Sequence, residues 1–152
     1  MQIAFSFLML HSASINAAPD FHAFPVPSYT GPFAKARLTD VKSRQYAAHL
    51  RSAEKGPVNF AGSGMLAMWG CGASCIMAAS VDAKTGNVAW LPFTVCCWST
   101  NISEPLEFRA DSRLLVVHGS RDETGPGSAV HYYTFDGKKF SELLTRDDAK
   151  DH

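Results

Sequence analysis

Four cysteines in two close pairs are the residues of this 152-residue chain best suited to chemistry. Cys71 and Cys75 lie in the glycine-rich stretch Trp69-Gly70-Cys71-Gly72-Ala73-Ser74-Cys75, and Cys96 and Cys97 are adjacent. A catalytic dithiol usually has two intervening residues and sits at a helix N-terminus, where amides depress the thiol pKa. Here the gap is one residue longer, and the segment that follows, 76–81, has the character of a strand. A Cys71–Cys75 disulfide across a tight hairpin is therefore favoured over a redox couple. Neighbouring residues in a strand project to opposite faces, so a Cys96–Cys97 bridge requires a distorted peptide unit. Two arrangements remain: bridges from Cys96 and Cys97 back to Cys71 and Cys75, or one Cys71–Cys75 bridge with Cys96 and Cys97 packed as small hydrophobes. The second is slightly favoured.

Histidines offer the other chemistry. His118 and His131 flank the polar loop 119–128 on adjacent candidate strands, near Asp111, Arg121, Asp122 and Glu123 in sequence. Together these could supply acid and base groups, although histidines on half-exposed strands are more often surface polar residues. Cys71, Cys75, His118 and His131 could also be gathered as four zinc ligands, but exported domains more often oxidise such cysteines. The chain has no G-x-S-x-G elbow, P-loop or H-E-x-x-H motif. No catalytic residue, metal ligand or cofactor is assigned. The binding candidates are Trp90, Arg113, His118, Arg121, Asp122 and His131, on or near an aromatic face and a Gly/Pro-rich loop of the kind that carries recognition.

The elements that must position these residues follow from periodicity and breakers. Prolines 19, 25, 27 and 32, with Phe21, Phe24 and Tyr29 between them, make 18–38 an extended arm lying against the domain. Residues 39–55 read as one helix, with Thr39 or Asp40 as N-cap, Gly56-Pro57 as stop and a narrow apolar stripe of Tyr46, Leu50 and Ala53. Short β runs follow at 65–69, 76–81, 88–91, 93–98, 106–109, 113–118 and 130–135. Asp136-Gly137 predicts a two-residue hairpin turn facing Phe135 with Lys138 and Tyr133 with Phe140. The expected fold is α+β: one N-terminal helix packed on a bent, mainly antiparallel sheet of about six to eight short strands, within a single domain at 39–145 and followed by a charged tail at 146–152.

Composition bounds the function. The chain is 46% hydrophobic and 18% charged, which suits one globular core. Fourteen basic residues balance fourteen acidic ones, so no net field favours nucleic acid or an anionic membrane. The apolar run at 3–10, followed by small residues at 12–18, resembles a signal peptide at 1–17, although no Lys or Arg precedes the run. It is shorter than the roughly 20 apolar residues of a membrane span. Export would place the protein in the periplasm or outside the cell, where an even cysteine count reads as disulfides.

Five motifs, Asn59-Phe60-Ala61-Gly62, Trp69-Gly70-Cys71-Gly72-x-x-Cys75, Val81-Asp82-Ala83-Lys84-Thr85-Gly86, Leu91-Pro92-Phe93 and Asp111-Ser112-Arg113-Leu114-Leu115-Val116-Val117, together resemble a group of uncharacterised exported bacterial proteins. The resemblance implies a periplasmic location and a single domain, carries no activity, and makes Asn101 of Asn101-Ile102-Ser103 an improbable glycosylation acceptor. Relative to that pattern Cys96-Cys97 is an addition. The functional expectation is an exported, disulfide-braced binding protein, of inhibitor or immunity type, for an unknown protein or cell-wall ligand of the envelope. The alternative is a thiol-disulfide or Cys/His metal enzyme.

Overall fold

The structure is a computed structural model that describes residues 17–148. Nearly all of the signal-peptide reading, and residues 149–152 of the tail, lie outside the described residues. Among the described residues there are nine strands: β1 (Gly64–Gly72), β2 (Cys75–Asp82), β3 (Val88–Trp90), β4 (Val95–Cys96), β5 (Leu106–Phe108), β6 (Leu114–His118), β7 (Ser120–Arg121), β8 (Ala129–Phe135) and β9 (Phe140–Asp147). They form two separate sheets. One has the order β1-β2-β4-β7, with β3 also on β2; the other is β5-β6-β8-β9.

This corrects the expectation of one bent sheet. Strands apolar on both alternating faces suit either a covered single sheet or stacked sheets, and here the sheets are stacked. Along β2, Ala78 joins a core shared by both sheets, while Met77, Ala79 and Val81 join a second core against the helices. Along β6, Leu115 and Val117 face the shared core; Leu114 and Val116 face outward and are covered by Phe21 and Phe24 of the arm. Four layers therefore account for strands buried on two sides.

The single helix is also corrected, to two short ones, α1 (Val41–Gln45) and α2 (Ala47–Ala53). Asp40 caps α1, accepting from the Ser43 amide at 2.8 Å and the Ser43 hydroxyl at 2.6 Å. The break falls at Tyr46, whose backbone (φ −103°, ψ 24°) leaves the helical region. Its ring lies 5.5 Å from Trp69 and 5.8 Å from Trp90. Docking of that ring accompanies the loss of helical continuity, while Leu50 remains fully buried on β1 and β2.

The arm ties the layers together. The Val26 amide donates to Asp111 and the Arg113 amide to Phe24, both at 2.9 Å; the Ala34 and Arg37 amides donate to Ala83 and Gly86, both at 2.8 Å. Gly86 (φ +76°) permits this approach, since a Cβ there would strike the Lys35 carbonyl. Most of the motifs quoted above have architectural roles. Asn59 bonds both the amide and the carbonyl of Leu66, and Phe60 fills the centre of the shared core. The Ser112 hydroxyl donates to the Phe21 carbonyl at 2.8 Å.

The β8–β9 hairpin has a different register from the one expected: Phe135 opposes Phe140 and Tyr133 opposes Glu142. Asp136 Oδ1 accepts from the amides of both Lys138 and Lys139, closing a longer turn than the Asp-Gly pair implies. β9 continues through Asp147, so the first two residues read as a charged tail, Arg146 and Asp147, belong to the sheet.

Candidate functional site

The cysteines lie at one end of the first sheet. Cys71 and Cys75 close the β1–β2 hairpin with a disulfide at a Cα separation of 5.1 Å. Cys96 and Cys97 are bridged to each other, with a Cα separation of 3.8 Å. The expectation that they pack as small hydrophobes is therefore corrected. Cys97 has left the strand: its φ of +63° turns its side chain back toward Cys96 instead of to the opposite sheet face. Two glycines make room for this turn. A Cβ at Gly119 (φ +109°) would strike the Cys96 carbonyl, and one at Gly127 would strike the Cys97 carbonyl. No cysteine is free, and among the described residues no three His, Cys, Asp or Glu side chains come together to hold a metal. The proposed Cys71/Cys75/His118/His131 zinc set is not assembled.

The two histidines are separated by the pleat. Val117 opposes His131 and Val130 opposes His118, so the imidazoles face opposite sides of the sheet. His131 points inward, only 5% exposed, with Nδ1 2.7 Å from the Thr145 hydroxyl and Nε2 3.0 Å from the Gly119 carbonyl. Burial first, then the nearby Arg121 charge, lowers its pKa from 6.5. His118 points outward, and its Nε2 meets Glu107 at 2.5 Å.

Arg121 and Asp122, chosen from the long loop, are turned into the fold. Arg121 hydrogen-bonds the Tyr133 hydroxyl and Glu142 and lies 5.8 Å from the Phe93 ring centre. Asp122 Oδ1 accepts from the Thr94 amide at 2.8 Å, and the Asp122 amide donates to the Thr94 carbonyl at 2.9 Å. Asp122 and Glu123 are both left-handed (φ +48° and +60°), forming a tight turn after β7. Trp90 is half-buried beneath Lys42, whose Nζ stands 4.2 Å from its ring centre. Arg113 is exposed immediately before β6.

Of these candidates, His118 alone lines the cleft beside the cysteine end, a depression of about 270 Å³. Ile102, Ala129 and Val130 give it apolar surface, while Ser99, Asn101, His118, Ser128 and Asp148 give it polar groups. Gly127, which also lines it, is the residue that closes on Cys97. Except for His118, these lining residues escaped the sequence reading, and nothing in their local pattern marks them: they come from the 99–102 loop, residues 127–130 at the start of β8 and Asp148 just after β9, which meet only in the folded chain. Glu107 escaped too, since its place beside His118 follows from the register of Glu107 with Val116. The cleft lacks an acyl-transfer pair at Ser128, whose hydroxyl donates to Asp147 rather than to the imidazole.

No family model matches the chain, and no curated protein or solved structure matches it at a significant level. The chain is a small, disulfide-stabilised α+β domain, and among its described residues no helix is long and apolar enough to cross a membrane.

Proposed function

We propose that this chain is an exported binding protein of the bacterial envelope, of the inhibitor or immunity type, which holds a segment of another envelope protein in the cleft around His118. The observation that carries this reading is the cleft itself: polar groups from four chain segments converge over an apolar floor, on a rigid two-sheet scaffold. Export is supported by the apolar run at 3–10, by the two disulfides and by the resemblance in the five motifs.

The test is capture from envelope extract by the immobilised oxidised chain. Asn101→Trp places a large ring at the cleft mouth, and capture should fall at least tenfold, whereas Lys55→Ala on the helix side should leave it unchanged. Retention of the same partner by Asn101→Trp, or no partner for the wild type, would sink the reading.

A further inference from the structure

The two disulfides are neighbours in the sheet. Cys75 of β2 is directly opposite Cys96 of β4, and the next pair along is Ile76 opposite Val95. Ile76 and Val95 pack into the core between the sheets, so Cys75 and Cys96 share the other face. Directly opposed antiparallel residues stand about 4.5 to 5.5 Å apart at Cα, inside the roughly 4.4 to 6.8 Å that a disulfide spans. A Cys75–Cys96 bridge is thus compatible with the strand pairing as it stands. Exposure has the matching order: Cys71 and Cys97 are exposed, Cys75 is half-buried and Cys96 is 3% exposed. β4 is paired on both sides, to β2 and to β7, and Gly119 and Gly127 close on the carbonyls of Cys96 and Cys97. Cys96 is held facing Cys75 by its strand, whatever the state of its own sulfur.

We infer that the four cysteines form one thiol–disulfide exchange site for protein dithiols, in which the inner residues Cys75 and Cys96 exchange partners and the outer residues Cys71 and Cys97 carry the released thiols. A thiolate of the incoming dithiol attacks Cys97 Sγ, forming a mixed disulfide and expelling the Cys96 thiolate. That thiolate attacks Cys75 Sγ, forming Cys75–Cys96 and expelling the Cys71 thiolate, which takes up a proton. The second thiol of the dithiol then resolves the mixed disulfide, releasing Cys97 as a thiol. Two electrons and two protons pass to the protein, and the dithiol leaves as a disulfide. The reverse sequence oxidises the Cys71 and Cys97 thiols, restoring both disulfides, while a partner disulfide is reduced to its dithiol. This chemistry is independent of the cleft reading and goes beyond it.

The experiment treats the oxidised full chain with one equivalent of dithiothreitol, followed by acid quench, alkylation and peptide mapping. The expected product has Cys71 and Cys97 alkylated and a Cys75–Cys96 linked peptide. Alkylation of Cys96 and Cys97 with Cys71–Cys75 intact, or of Cys71 and Cys75 with Cys96–Cys97 intact, overturns the inference. Two variants test the inner step without reductant. In Cys97→Ser the single thiol should migrate from Cys96 to Cys71, and in Cys71→Ser from Cys75 to Cys97, both ending in the same Cys75–Cys96 bridge. A thiol that stays on Cys96 in the first or on Cys75 in the second refutes the exchange. The wild-type titration decides the matter if either variant fails to fold.

Discussion

Replacing Phe60 with Ala probes whether the two sheets share one core. Phe60 is fully buried, and its ring centre lies 6.1 Å from Phe108, 5.3 Å from Phe135 and 6.0 Å from Phe140. Those three rings belong to the second sheet, whereas Phe60 immediately precedes the first. Truncating a buried Phe costs about 3 to 5 kcal/mol in transfer and cavity terms, and each aromatic pair adds about 0.5 to 1.5 kcal/mol beyond area burial. The upper end of the first range, about 4 to 5 kcal/mol, is the expected loss. With a urea m-value of about 2 kcal/mol per molar, the midpoint should fall by about 2 M. Urea unfolding of the oxidised protein should be followed by tryptophan fluorescence, which samples the first sheet, and by far-UV circular dichroism, which samples both. The two probes should remain coincident in wild type. Phe33→Ala, at a position 44% exposed, should change stability by less than about 0.5 kcal/mol. A Phe60→Ala loss below about 1 kcal/mol, or separate transitions for the two probes in wild type, would refute the shared core.

Further outcomes follow from the inward-turned residues. In the unfolded chain His131 takes a proton near its ordinary value of 6.5, while in the folded protein burial and Arg121 delay that protonation to lower pH. The unfolded state then binds more protons, so stability present above pH 6.5 is lost as pH falls through the interval below it. Glu142, which also faces His131, has a pKa lowered by Thr145 and then Arg121, and its contribution is lost only below about 4.5. Chemical denaturation between pH 5 and 7 should therefore show a positive slope in wild type that flattens in His131→Gln; an unchanged slope would remove His131 as its source. Asp122→Gly keeps the left-handed turn and loses the carboxylate's bonds from the Thr94 amide and hydroxyl, whereas Asp122→Ala loses the same bonds and adds backbone strain. Melting temperatures should therefore rank wild type, then Gly, then Ala, and a stable Asp122→Ala would show that this turn does not anchor the loop.

Much of the local structure is written in short patterns. The Cys71–Cys75 hairpin, the Asp40 cap and the proline-rich arm each follow from residues within a few positions of one another. The stacking of sheets does not, because β2, β6 and β8 are apolar on both faces and alternation alone cannot say what covers each face. Tyr46 has helix-compatible neighbours, and its departure from the helix reflects rings contributed by Trp69 and Trp90. The Cys96–Cys97 bridge escapes a strand-based argument because Cys97 is already past the strand in a left-handed conformation, closed on by glycines more than 20 residues further along the chain. The cleft was legible only at His118. Its other walls depend on strand register, as does the meeting of Cys75 with Cys96, which are 21 positions apart in sequence.

Acid-trapped alkylation of the protein in its native cells, followed by disulfide mapping, tests most directly whether this is an exported domain with every inner cysteine bridged. Cys75 and Cys96 should escape alkylation, joined either to Cys71 and Cys97 or to each other, in protein recovered from the envelope fraction. Alkylation of both Cys75 and Cys96 in protein retained in the cytosol would contradict the account.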